Sequence, residues 1–157
     1  MDFQIKGLAA EAFTPLFNLS DAELANHCAI RMIADRQPGF PCRISLRDAD
    51  VGETVLLINH EHLALAGPYR SRHAIFVREN ATAARLETNE IPEMLRTRLL
   101  SVRAFDDAGM MVDADVISGR WLARAAKRML RLPKVQYLHV HNAKPGCFAA
   151  RIDRAER

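Results

Sequence analysis

The stretch LLSVRAFDDAGMMVDADVI, residues 99–117, reads as a β-hairpin and sets the fold class. Two runs rich in strand formers flank a polar turn. Gly109 ends a three-residue loop, Asp107-Ala108-Gly109, at the left-handed position that such loops require. That loop length sets Phe105 opposite Met111, Arg103 opposite Asp113 and Ser101 opposite Asp115. Arg103 then faces both aspartates as an ion-pair partner. A two-residue loop shifts the pairing and puts Val102 there instead.

Working outward, the chain repeats this strand-and-turn grammar. FQIKGL from Phe3, AIRMIA from Ala29, CRISL from Cys42, ETVLLINH from Glu53 and HAIFVRE from His73 all read as strands, as do VQYLHVHN from Val135 and CFAARIDR from Cys147. ETVLLINH is apolar on both faces and reads as a central strand. Helices are fewer. Ser20-Asp21-Ala22-Glu23 is a capping box that opens a helix ending near His27. Residues 9–17 are weakly helical and interrupted by Pro15. Pro92 opens a short helix. Residues 119–132 have the strongest helical period. Trp121, Leu122, Ala125, Ala126, Met129, Leu130 and Leu132 share one side of the wheel; Arg120, Arg124, Lys127, Arg128 and Arg131 share the other. Mostly short connections predict a mainly antiparallel sheet with three or four flanking helices: an α+β fold. With 157 residues and no linker or repeat, residues 1–157 read as a single domain.

Apolar residues make up 49% and charged residues 26%, which argues against disorder. No apolar run approaches the ~18 residues of a membrane span. The N-terminus lacks the basic start and apolar block of a secretion signal. Three cysteines, an odd number without a C-x-x-C pair, fit a reducing compartment, so a cytoplasmic protein is expected. Charge is uneven: residues 120–157 carry +8 and residues 1–119 carry −5. Pairing between the two halves accounts for this, or an acidic partner does.

The densest chemical signal is Tyr137-x-His139-x-His141. Residues two apart share a strand face, so all three project together, while Leu138 and Val140 point to the core. Such a strand is expected to present its histidines at a surface or in a cleft. Asn142 and Cys147 follow closely, across a Pro145-Gly146 turn. Histidine exchanges protons near neutrality, and a thiol beside it can act as a nucleophile. The catalytic candidates are therefore His139, His141 and Cys147. The segment from Pro68 to His73 adds anion-binding groups, because arginine forks suit carboxylate and phosphate. The ligand-binding candidates are Arg43, Tyr69, Arg70, His73 and Asn142, and the implied ligand is a small anion. A second reading is a metal site. His139-x-His141 and His60-x-His62 both have strand-type ligand spacing, giving His62, His139 and His141 as ligands, with His73, Asp113 or Asp115 to complete the set. A third is docking of an acidic partner or nucleic acid on the basic helix 120–131. Its competing reading, a solvated helix face, is favoured because aromatics are only 6% and no stacking pattern interleaves the charges. No Gly-rich phosphate loop or nucleotide fingerprint is present, so no cofactor is named.

Four segments carry a family resemblance: PCRISL at Pro41, PYRSRHAIFVRE at Pro68, GMMVDADV at Gly109, and HVHNAKPGCFAARIDR at His139. Together they resemble a family of small bacterial proteins known as domain of unknown function 1203. The resemblance implies one domain of bacterial type over nearly the whole chain, and no particular chemistry. Family members usually read Asn-Tyr-Glu-His where this chain has Asn59-His60-Glu61-His62.

Overall fold

Side-chain alternation assigns strands but not their partners, and the partners divide them into two sheets. The computed structural model describes residues 1–156. The strands are β1 (Phe3–Lys6), β2 (Ala29–Ile33), β3 (Thr54–Leu63), β4 (Ser71–Arg78), β5 (Leu99–Phe105), β6 (Met111–Ser118), β7 (Tyr137–Asn142) and β8 (Phe148–Arg154). One sheet has the order β1-β8-β7-β5-β6, and the other has the order β2-β3-β4. Every strand pair is antiparallel. The expected α+β class holds, and β3 is central in its sheet. The α-helices are α1 (Asp21–Asn26), α2 (Glu93–Arg96) and α3 (Leu122–Met129).

The capping box at α1 is formed in full: Glu23 N donates to Ser20 Oγ, and Ser20 N donates to the Glu23 carboxylate. Residues 9–17 give two 3₁₀ turns, Ala10–Ala12 and Thr14–Asn18, with Pro15 at the start of the second. On α3, Leu122, Ala126 and Met129 are buried in one cluster with Leu100, Val102, Leu138, Val140 and Ile152 of the larger sheet, and Ala125 is buried beside them in sequence. Trp121 departs from its expected place in that core and is 56% exposed. The chain enters α3 through a 3₁₀ turn, Gly119–Trp121, whose tighter winding breaks the 3.6-residue phase. Leu132 lies beyond the helix end and is also exposed.

Two other expectations need correcting. CRISL is not a strand. Its backbone bonds in two directions: Arg43 N donates to Phe76 O of β4, while Leu8 N and Ala84 N donate to Arg43 O and Ile44 O. The segment straps β4 to the chain that leaves β1, joining the two sheets. The hairpin keeps Phe105 opposite Met111, with Gly109 at φ 76°, but Val112 is then an extra residue in β6. This bulge moves Asp113 opposite Ala104 and leaves Arg103 opposite Ala114. Asp113 and Asp115 pair instead with Arg128 of α3, at 3.0 and 3.2 Å. Arg103 donates from Nε to Ser101 Oγ at 3.2 Å.

Candidate functional site

Strand β7 places Leu138 and Val140 in the core under α3, as alternation requires. Its other face, Tyr137, His139 and His141, is expected at a surface or cleft. It is covered instead: His139 is 3% exposed and His141 0%. The cover is the smaller sheet. His62 is the extra residue of a bulge in β3, between the Glu61–Arg72 and Leu63–Ser71 pairs. A bulge re-aims one side chain without breaking the strand. His73 lies on β4 directly opposite His60. A further bulge at Ala149 in β8 puts Phe148 opposite His141, on the histidine face.

Four imidazoles therefore converge between the sheets. His62 Nε2 and His73 Nδ1 are 2.8 Å apart, sharing one hydrogen bond. His62 Nδ1 lies 3.4 Å from His139 Nδ1. His141 Nδ1–H donates to the Gly146 carbonyl at 3.0 Å, leaving Nε2 buried with no partner among the described residues. The Phe148 ring stacks on His62 with centroids 5.0 Å apart. Burial disfavours the charged form of each ring. It pushes His62 down to about 4, His141 to about 3 and His139 to about 2. His73 is also lowered by burial. Neighbouring positive charge, Arg103 included, acts in the same direction on all four. At neutral pH the rings are uncharged.

Beside the cluster is a cavity of about 640 Å³. Leu57, Phe76, Leu99 and Pro41 supply apolar wall; Arg43, His73, Arg98, Asn142, Lys144 and Cys147 supply polar groups. Arg43 is only 1% exposed. Its guanidinium donates to Phe148 O at 2.8 Å, to Pro41 O and to Cys147 Sγ at 3.0 Å. Asn142 Nδ2 also approaches Cys147 Sγ, at 3.6 Å, while its Oδ1 is buried and unpartnered. Arg98 is neutralised by Asp48 at 2.6 Å. Among the described residues, no carboxylate forms an ion pair with Arg43 and none lines the cavity.

The candidate residues therefore separate. His73, Arg43, Asn142 and Cys147 meet at the cavity. His139 and His141 lie behind it with His62. Cys147 takes its polar contacts from Arg43 and Asn142, and among the described residues no hydrogen bond joins it to His139 or His141. Arg70 and Arg72 pair with Glu61 on the exposed side of the smaller sheet, and Tyr69 packs against Phe105; none of the three lines the cavity. Arg98 at the cavity and Arg103 near the histidines are not candidates from sequence, since nothing there tells an arginine beside a site from a surface one.

Residues 39–154 match the profile of a protein family, DUF1203, described as a protein of unknown function. The match covers well over half of the chain. The protein belongs to the DUF1203 family. The match spans the strap, the histidine-bearing strands β3, β4 and β7, the hairpin and the β7–β8 turn, so the whole site of this DUF1203 protein lies inside the family's boundaries. No curated protein and no solved structure matches the chain.

Proposed function

We propose that the cavity binds a small molecule with an anionic head and an apolar body. The observation that carries this is Arg43, a buried guanidinium without a carboxylate counter-charge among the described residues. Arginine stays ionised in proteins. A buried charge left unpaired costs several kcal/mol, and two backbone carbonyls and a sulfur offset that only in part. An anion in the cavity completes the pairing. Lys144 at the rim adds positive charge, and Asn142 offers a hydrogen bond from a buried amide. Leu57, Phe76 and Leu99 suit an alkyl or aryl body. His73 and Cys147, on the same wall, are the groups placed to act on such a molecule. Among the described residues, no helix is long and apolar enough to cross a membrane. Three free thiols suit the reducing cytoplasm of a bacterium, where we place the protein.

The test is calorimetric titration with a panel of aliphatic and aromatic carboxylates and inorganic phosphate, at low ionic strength. At least one carboxylate is expected to bind saturably at one site. Leu57→Trp, which fills the cavity without touching a charge, is expected to weaken it at least tenfold. A panel that gives no saturable binding, or binding untouched by Leu57→Trp, overturns the reading.

A further inference from the structure

We infer that His62, His73 and His141 form a binding site for one divalent transition-metal ion, zinc being the best fit to the donor set. One ring nitrogen from each lies within 4.8 Å of the other two. Three imidazoles with an open fourth position make a recurrent zinc arrangement, with Zn–N bonds of ~2.0–2.1 Å. Ring rotations on the order of 1 Å close the triangle to that size.

The hydrogen bonds around the cluster already sort the ring nitrogens. His141 Nδ1–H donates to the Gly146 carbonyl, which fixes the tautomer and turns the Nε2 lone pair inward. Imidazoles that bind metal are oriented in this way, by a backbone carbonyl on the far nitrogen. Nε2 has no protein partner, and a buried acceptor without one needs an explanation. A cation supplies it. His62 Nε2 and His73 Nδ1 face each other at 2.8 Å, so one carries a proton, which moves to the other nitrogen of the same ring when the metal takes its place. His62 Nδ1 can then donate to His139 Nδ1, 3.4 Å away. His139 is thereby a positioning residue that orients His62, not a ligand. Burial keeps these rings neutral, the state that a ligand needs. Phe148 stacked on His62 limits the ring's swing.

Among the described residues, no aspartate or glutamate joins the group. The bound ion keeps its full charge, with Arg103 nearby, so the partner that completes its coordination is anionic or a readily ionised water. His73 belongs to both the metal triangle and the cavity wall, so the ion would lie next to the cavity. The metal does not depend on the cavity's occupant: it can bind with the cavity empty, and the anion can be tested on chelated protein.

The experiment is cobalt(II) titration of untagged, chelator-treated protein at pH 7.5, followed by visible absorption, with zinc competition. One equivalent is expected to bind with the intense d–d bands of a low-coordinate site, and zinc is expected to displace it. His73→Ala and His141→Ala are expected to abolish the bands. His139→Ala is expected to keep them with affinity lowered ~10–100-fold, and His27→Ala, at an exposed position, to change nothing. Imidazole ¹⁵N spectra of the unaltered chain need no substitution. Zinc is expected to shift the His62, His73 and His141 ligand nitrogens strongly and to leave His27 unmoved. Failure of cobalt and zinc to bind the unaltered protein overturns the inference. So does retention of the bands in folded His73→Ala or His141→Ala, or a zinc response confined to other histidines.

Discussion

Strand β7 buries both of its faces, and they do opposite things. Under α3, Leu138 and Val140 lie among aliphatic side chains, and every atom buried there lowers the free energy of folding. On the reverse face, His139 and His141 are equally inaccessible, yet one carries a nitrogen with no partner and both are held far from their ordinary protonation range. Burial alone therefore does not mark a core. The histidine face stays neutral only because of its surroundings, and that constraint is expected where structure serves binding rather than stability.

The widest separation between the faces is expected in acid. In the unfolded chain histidine titrates near ~6.5. In the fold His139 and His141 take up protons only near 2 and 3. The unfolded state therefore binds more protons between those limits, and stability falls as pH drops below about 6.5. For metal-free protein, these two rings are expected to cost together up to about 4 kcal/mol between pH 7 and 5. Urea melts across that range measure it. A flat profile would show that the rings are already charged in the fold, and the comparison would collapse. Next in size is Leu138→Ala, expected to cost about 3 kcal/mol with the same value at both pH values. His141→Leu sharpens the contrast. At pH 7 it is expected to change stability by less than about 1 kcal/mol, because a lost bond to Gly146 is offset by removal of an unpartnered nitrogen. At pH 5 it is expected to be stabilising, while metal binding is lost. The smallest effect belongs to the surface: Arg128→Ala breaks two exposed ion pairs to β6 and is expected to cost no more than about 1 kcal/mol.

How much of this was legible in the sequence depends on the range of the interaction. The capping box at Ser20, the left-handed Gly109 and the shared face of His139 and His141 are local, and each is found as read. What failed were single-residue irregularities. Val112 bulges from β6 and removes the aspartates from Arg103; no residue type announces it. The 3₁₀ turn before α3 rotates Trp121 out of its expected stripe. The site was legible only in halves. Alternation aimed two histidines one way, and the His60-x-His62 repeat offered a second pair. That a bulge would swing His62 across to β7, with His73 joining it, rests on packing between two sheets that share no strand. Arg43 is a ligand-binding candidate from sequence and does line the cavity, but its burial is not legible there, because arginine is seldom fully buried.

Arg43 sits on the strap that ties the sheets together, and this makes assembly and competence one event. A chain whose sheets have not yet closed has neither a guanidinium between them nor a complete ring of imidazoles. Partly folded forms are thereby chemically silent, and ligand or metal can reward only the finished architecture.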